Sequence, residues 1–115
     1  MIAMLLAAAT AQLPPVEAGY ADLSAGRDAA AIALLETRRE TAEEPAALIN
    51  LGIAYARQGD IARARALFKA AERAPDRVEL ETATGQWVDS RVLARQALAM
   101  LDGGMLVRAS QLARK

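Results

Sequence analysis

The chain has 115 residues, a length that suits one domain. Its 14 basic and 14 acidic residues give a formal net charge of zero, whereas nucleic-acid-binding domains typically carry a basic excess. Cysteine and histidine are both absent, which excludes disulfides, thiol chemistry and the usual zinc ligands, and removes the commonest general base. Because alanine dominates and strand-forming residues are sparse, the sequence predicts a chain that is nearly all helix.

The first ten residues, MIAMLLAAAT, form an apolar run that is too short to span a bilayer, for which about 20 residues are needed. Ala9-Thr10-Ala11 fits the small-x-small cleavage pattern of a secretory signal peptide, although no positive residue precedes the run. We therefore expect residues 1–11 to be a signal peptide, cleaved after Ala11, whose positive segment would lie upstream. The alternative is an apolar N-terminal helix that packs on the fold.

Residues 48–75 carry the clearest pattern of the chain. Two apolar stripes with helical spacing follow each other, formed by Leu48, Leu51 and Tyr55, and then by Ala64, Leu67, Phe68 and Ala71. Gly52 and Ala64 are small, so the two helices can approach closely. Gln58-Gly59-Asp60 predicts the turn between them, with Asp60 as the cap of the second helix. Pro45 suits the first turn of the first helix.

The order Leu48-x2-Leu51-Gly52-x2-Tyr55, Ala64-x3-Phe68 and Pro75 resembles a tetratricopeptide repeat, a helix–turn–helix unit. A shift of 33 residues in either direction reproduces the small and the large apolar positions. Gly52 then falls on Gly19 and Gly85, Ala64 on Ala31 and Ala97, and Phe68 on Leu35 and Leu101. The sequence therefore predicts an all-α protein, an α–α solenoid of about three helix pairs, at residues 13–42, 45–75 and 76–101.

The end of the chain carries local helix signals. Asp76-x2-Glu79 resembles a capping box at the start of the third pair, and Asp89-Ser90 is the expected break within that pair. Asp102-Gly103-Gly104 is the expected helix stop. Residues 103–115 are either a capping helix over the last repeat or a frayed tail.

The resemblance implies that the first helices of successive repeats line a concave groove, which holds a peptide or a helix. The side chains expected to line it are Val16, Tyr20, Leu23, Ile49, Asn50, Ile53, Arg57, Thr82, Gln86 and Asp89. One asparagine and one arginine around two isoleucines favour an apolar ligand over a clamp for a carboxylate. We expect Ile49 and Ile53 to stay partly open to water until a partner covers them.

These patterns predict a non-enzymatic scaffold that binds a peptide or an amphipathic helix of another protein, without a cofactor, without nucleic acid and without a stable membrane span. Self-assembly through the groove as a homodimer is the alternative. Catalysis is disfavoured because Ser24, Ser90 and Ser110 have no histidine partner. The leader predicts a periplasmic or secreted protein, or a cytoplasmic one if the segment is not a signal, and the resemblance implies a bacterial source. Trp87, the only tryptophan, either seals a junction between repeats or is a binding hot spot.

Overall fold

The computed structural model describes residues 7–8, 14–42 and 44–106, with side chains for residues 19–37 and 44–106. Five helices and three short strands make up this part of the chain, so the predicted, mostly helical character is confirmed. In chain order the elements are β1 (Ala7–Ala8), α1 (Pro14–Ser24), α2 (Asp28–Ala42), α3 (Pro45–Arg57), α4 (Ile61–Arg73), β2 (Glu79–Thr82), β3 (Trp87–Asp89) and α5 (Ser90–Asp102).

The first four helices form two helical hairpins, α1–α2 and α3–α4, and each turns on a glycine. Gly26 and Gly59 have φ angles of 83° and 87°, in the left-handed region that glycine adopts without a steric penalty. Pro45 occupies the first turn of α3, as expected. The carboxylate of Asp60 accepts the backbone N–H of Arg63 at 3.1 Å, which confirms the predicted cap of α4.

Glycines on α1 and α3 let each helix approach its partner in the hairpin. A Cβ atom at Gly19 would lie 2.7 Å from Cγ of Leu35, and one at Gly52 would lie 2.8 Å from Cδ1 of Phe68. Both distances are shorter than any ordinary contact, so only glycine fits at these two positions. The two contacts are 33 residues apart, which means that the sequence period recurs in the packing.

Helix α5 buries the same periodic positions as α2 and α4, the second helices of the first two pairs. Ala31, Ala64 and Ala97 are all fully buried, and so are their large apolar neighbours Leu35, Phe68 and, almost completely, Leu101. The 33-residue period of buried positions therefore extends through α2, α4 and α5.

The prediction that the third pair begins with a helix is wrong, because residues 79–89 form a β-hairpin. Strands β2 and β3 are antiparallel, and Leu80 lies opposite Val88. In the turn, the N–H of Gly85 donates to the carbonyl of Thr82 at 2.9 Å, and Gly85 has a φ of 86°. Apolar or β-branched residues alternate with glutamates from Val78 to Thr82, the pattern of a half-buried strand.

The hairpin also changes the helix boundaries that we expected near it. No helix begins at Asp76, so the predicted capping box with Glu79 is wrong. The break at residues 89–90 is confirmed, because α5 begins at Ser90 and Asp89 accepts the backbone N–H of Arg91 at 2.8 Å. The stop at Asp102 is confirmed as well, with Gly103 as the cap.

Strand β1 extends the hairpin into a three-stranded sheet with the order β1-β2-β3. It runs antiparallel to β2, and Ala7 and Ala8 lie opposite Thr82 and Glu81. β1 also contacts α1 and α3. The rest of the predicted leader lies outside the described residues, as does most of the predicted capping helix. Of the latter, Met105 is exposed and Leu106 is buried.

Helix α3 lies at the centre of the fold. It packs against α1, α2, α4, α5 and β1, and every residue from Pro45 to Ala56 is buried. Such a helix, apolar on all sides, is typical of a core element. Within the described residues, no helix has the length and apolar character needed to cross a membrane.

Candidate functional site

The predicted centre of the groove is closed. Ile49, Asn50 and Ile53 are fully buried, so the expectation that the two isoleucines stay partly open to water is wrong. The physical reason is the position of α3, which is enclosed by neighbouring elements on every side rather than lining an open face.

The predicted groove residues of α1 differ in their surroundings. Leu23 is buried in the core with 1% exposure, so it cannot contact a ligand in this structure. Tyr20 is half-buried and packs against the core cluster, which leaves part of its ring accessible. Val16 belongs to α1, but its side chain lies outside the described residues.

Arg57 joins the two helical hairpins instead of facing an open groove. Its guanidinium donates to the carbonyl of Leu23 at 2.8 Å and to Oδ1 of Asp28 at 3.1 Å. Only 10% of the Arg57 side chain and 7% of the Asp28 side chain are exposed. Removing one partner of such a buried ion pair leaves an uncompensated charge, which costs roughly 3–5 kcal/mol. Arg57 therefore lies in the interface between the hairpins α1–α2 and α3–α4, where its guanidinium is already hydrogen-bonded.

A second polar link joins α3 to α2. The hydroxyl of Tyr55 donates to Oε2 of Glu36 at 2.6 Å, and the guanidinium of Arg63 lies 5.2 Å from the centre of the tyrosine ring. The hydrogen bond to Glu36, together with burial and the negative charge of that carboxylate, raises the pKa of Tyr55 above its ordinary value, although Arg63 opposes the shift. Tyr55 thus anchors the hairpins to each other, like Arg57.

The last three predicted groove residues belong to the β-hairpin and its junction with α5, so the prediction that they face the groove from a helix is wrong. Thr82 is buried in β2, and Gln86 is exposed next to the turn. Asp89 caps α5 and accepts a hydrogen bond from Nε of Arg77 at 2.8 Å. That hydrogen bond holds the pKa of Asp89 below its ordinary value.

Trp87 is 58% exposed on β3, so the interpretation that it seals a junction between repeats is wrong. Val78 and Val92 are exposed large apolar residues on either side of it in the sequence. The hairpin is attached to α5 through Ser90, whose Oγ accepts the N–H of Val78 at 3.1 Å and whose N–H donates to the carbonyl of Val78 at 2.7 Å. The hot-spot interpretation of Trp87 stays a prediction.

The structure brings together a surface that the sequence patterns did not predict. We call it the strand site: the edge of β2 that pairs with β1, together with the parts of α1 and α3 that contact β1. On β2 the side chains of Leu80 and Thr82 are buried, whereas Glu79 is exposed and Glu81 is half-buried. The signal that could have revealed it is the alternation of residues 78–82.

The chemistry available at this surface is hydrogen bonding by backbone groups, apolar contact and two carboxylates. Among the described residues, no group of three or more metal-ligating side chains could hold a metal ion. Ser90, which the sequence offered as an isolated hydroxyl, is fully buried and bonded to Val78.

No protein-family model, no curated protein and no solved structure matches the chain. The resemblance to the tetratricopeptide repeat therefore depends on the residues quoted for it, and its functional meaning is a proposal.

Proposed function

We propose that this protein is a non-enzymatic interaction module of the tetratricopeptide type, which binds a segment of another protein against α1 and α3. One observation carries the proposal. An extended piece of polypeptide, β1, lies on α1 and α3 and pairs with β2. The surface can therefore hold a peptide backbone through main-chain hydrogen bonds, one of the recurring modes of peptide recognition.

The architecture supports this reading. In tetratricopeptide arrays, the first helices of successive repeats line the inner face that holds the ligand. Here α1 and α3 are the first helices of two hairpins with the same glycine contact, and they contact each other. The segment β1 touches these two helices. This contact supports the proposal that a partner segment binds against α1 and α3.

The proposed leader fits the same function. Cleavage after Ala11 would remove β1 and leave the edge of β2 and the adjoining helix surface free for a partner in the periplasm or outside the cell. If the segment is retained in the cytoplasm, a partner has to displace it. Both cases place the partner on the same surface.

The test compares two variants after a partner has been identified by affinity capture on the immobilised full chain. The purified partner is titrated by calorimetry against the wild type, Tyr20→Glu on α1 and Lys69→Glu on the exposed side of α4. We expect Tyr20→Glu to weaken binding by about tenfold or more, and Lys69→Glu to change it by less than about twofold. Equal affinities for both variants, with circular dichroism showing intact helices, would contradict the proposal.

Self-assembly is a second candidate, and the hairpin supplies the observation that favours it. Within the described residues, β3 pairs only with β2, so its other edge offers main-chain groups beside the exposed ring of Trp87. Two copies could join their sheets through this edge. Sedimentation at several protein concentrations separates the two candidates, because a monomer at every concentration contradicts constitutive self-assembly.

A further inference from the structure

We propose that the strand site takes an extended peptide in which small and basic residues alternate, and that β1 is the chain's own occupant of this site. Binding of such a peptide and seating of β1 are then mutually exclusive. This inference rests on the proposed function and adds the chemistry of the partner and the means by which the site is closed.

The edge of β2 offers main-chain hydrogen bonds to a strand that lies beside it. Strand β2 has β3 on one side and β1 on the other. When β1 leaves, the N–H and C=O groups on that edge of β2 lose their partners, and an unpaired strand edge is a template for pairing with another chain. The vacated edge therefore favours an extended ligand over a helical one.

The length of β2 sets how many ligand residues can pair with it. Strand β2 has four residues, Glu79–Thr82, whereas β1 as described pairs with Thr82 and Glu81 alone. A ligand strand of four residues can pair with the whole of Glu79–Thr82, which favours an extended segment of at least that length.

The side chains of β2 determine which ligand residues suit each position along the strand. Residues directly opposite each other in an antiparallel pair point to the same face of the sheet. A ligand residue opposite Leu80 or Thr82 therefore faces the buried side, and because alanine stands opposite Thr82 in β1, we expect a small residue there. A residue opposite Glu79 or Glu81 faces the solvent side, where two carboxylates favour lysine or arginine.

The probe is a fluorescently labelled peptide of alternating alanine and lysine, and the control peptide has glutamate in place of lysine. Anisotropy titrations use the full chain in two forms, wild type and the released variant Ala7→Pro/Ala8→Pro, which removes both N–H groups of β1. We expect the lysine peptide to bind the released variant about tenfold or more tightly than the wild type, because the internal competitor is gone. The glutamate peptide should bind neither form.

A second variant, in which a disulfide holds β1 on β2, tests the inference even if the proline variant folds poorly. The chain has no cysteine, so Ala7→Cys/Thr82→Cys introduces a single thiol pair. Ala7 and Thr82 lie directly opposite each other, and opposed Cα atoms in an antiparallel pair are roughly 4.5–5.5 Å apart, within the range of a disulfide. Oxidation should abolish binding of the lysine peptide, and reduction should restore it.

Four outcomes would overturn the inference. Equal affinity of the lysine peptide for the oxidised and reduced forms would place the peptide elsewhere. Equal affinity for the lysine and glutamate peptides would contradict the proposed charge preference. A disulfide-linked dimer after oxidation would show that β1 is donated to a second copy. If the peptide fails to bind while the captured partner still depends on Tyr20, this inference fails and the proposed function stands.

Discussion

Gly52 and Gly85 are separated by one sequence period, yet they belong to two regions that use glycine for opposite reasons. In the helical hairpins of residues 14–73, Gly52 makes room for the ring of Phe68. In the hairpin region of residues 76–102, Gly85 has open space around it and a φ of 86°. The first glycine is selected by packing and the second by backbone conformation, so a shared period does not imply a shared role.

The two regions resemble each other in the residues that their last helices bury. Ala97 and Leu101 on α5 are buried like Ala64 and Phe68 on α4. What changes is the element before α5, where residues 78–82 alternate between the two faces of a strand. The period is kept where a helix packs on the previous hairpin, and it is lost where a sheet replaces the helix. Four predictions test this difference.

The largest expected effect comes from placing a charge in each region. Ile53→Asp buries an unpaired carboxylate in the centre of α3, and we expect it to lower the free energy of unfolding by about 3–5 kcal/mol. Gln86→Asp, next to the exposed turn of the hairpin, should stay within about 0.5 kcal/mol. Urea melts followed by circular dichroism measure both. A wild-type midpoint for Ile53→Asp would contradict the central position of α3.

Truncation of Phe68 on α4 and of Leu101 on α5 tests whether the two regions bury these equivalent residues alike. Phe68→Ala should cost about 3–5 kcal/mol and Leu101→Ala about 2–5 kcal/mol, because each leaves a cavity. Phe68 should lie at the upper end, since α4 packs between α3 and α5. The measurement is again the urea midpoint, with the exposed Ala66→Gly as a helix-propensity control. A negligible effect of Leu101→Ala would remove α5 from the shared packing.

Substitution of Gly52 and Gly85 tests whether the first glycine is needed for packing and the second for backbone conformation. Gly52→Ala should cost about 1–3 kcal/mol through overpacking against Phe68. Gly85→Ala meets no atom, and its cost of about 1–2 kcal/mol arises from the left-handed conformation. When Phe68→Ala is added, the destabilisation caused by Gly52→Ala should become smaller, because the ring that the new methyl group meets is gone. The destabilisation caused by Gly85→Ala should not change. Double-mutant cycles measure both. Additive effects for Gly52→Ala with Phe68→Ala would contradict the packing account.

The smallest effect is a difference in pH dependence. Arg77 lowers the pKa of Asp89 below 3.8, so the stabilisation from this carboxylate is present above that pH and is lost as the pH falls through the folded-state pKa. The hydrogen bond to Glu36 raises the pKa of Tyr55 above 10.0, so its contribution is present below that pH and is lost as the pH rises.

Thermal midpoints across the pH range check this opposite behaviour of the hairpin region and the helical hairpins. Asp89→Asn should reduce the fall of the thermal midpoint at acid pH and leave its fall at alkaline pH unchanged. Tyr55→Phe should reduce the fall at alkaline pH and leave the fall at acid pH unchanged. Loss of both falls in either variant would contradict the separate assignments.

The sequence was sufficient for the helical hairpins because their signals are local. The stripe around Tyr55, the Gln58-Gly59-Asp60 turn and Pro45 each act within one or two helical turns, and they predicted the ends of α3 and α4 well. The burial of Ile49 and Ile53 could not be predicted, because it depends on elements distant in sequence that close around α3. The hairpin could have been predicted from residues 78–82, but the 33-residue alignment favoured a helix there.

Nuclear magnetic resonance of the backbone tests the central claim most directly, because chemical shifts report helix and strand residue by residue. The account predicts helical shifts at Pro45–Arg57 and Ile61–Arg73, strand shifts at Glu79–Thr82 and Trp87–Asp89, and cross-strand contacts between Leu80 and Val88 and between Ala8 and Glu81. Continuous helical shifts from Asp76 to Val88, without cross-strand contacts, would contradict it and restore a third helix pair in place of the strand site.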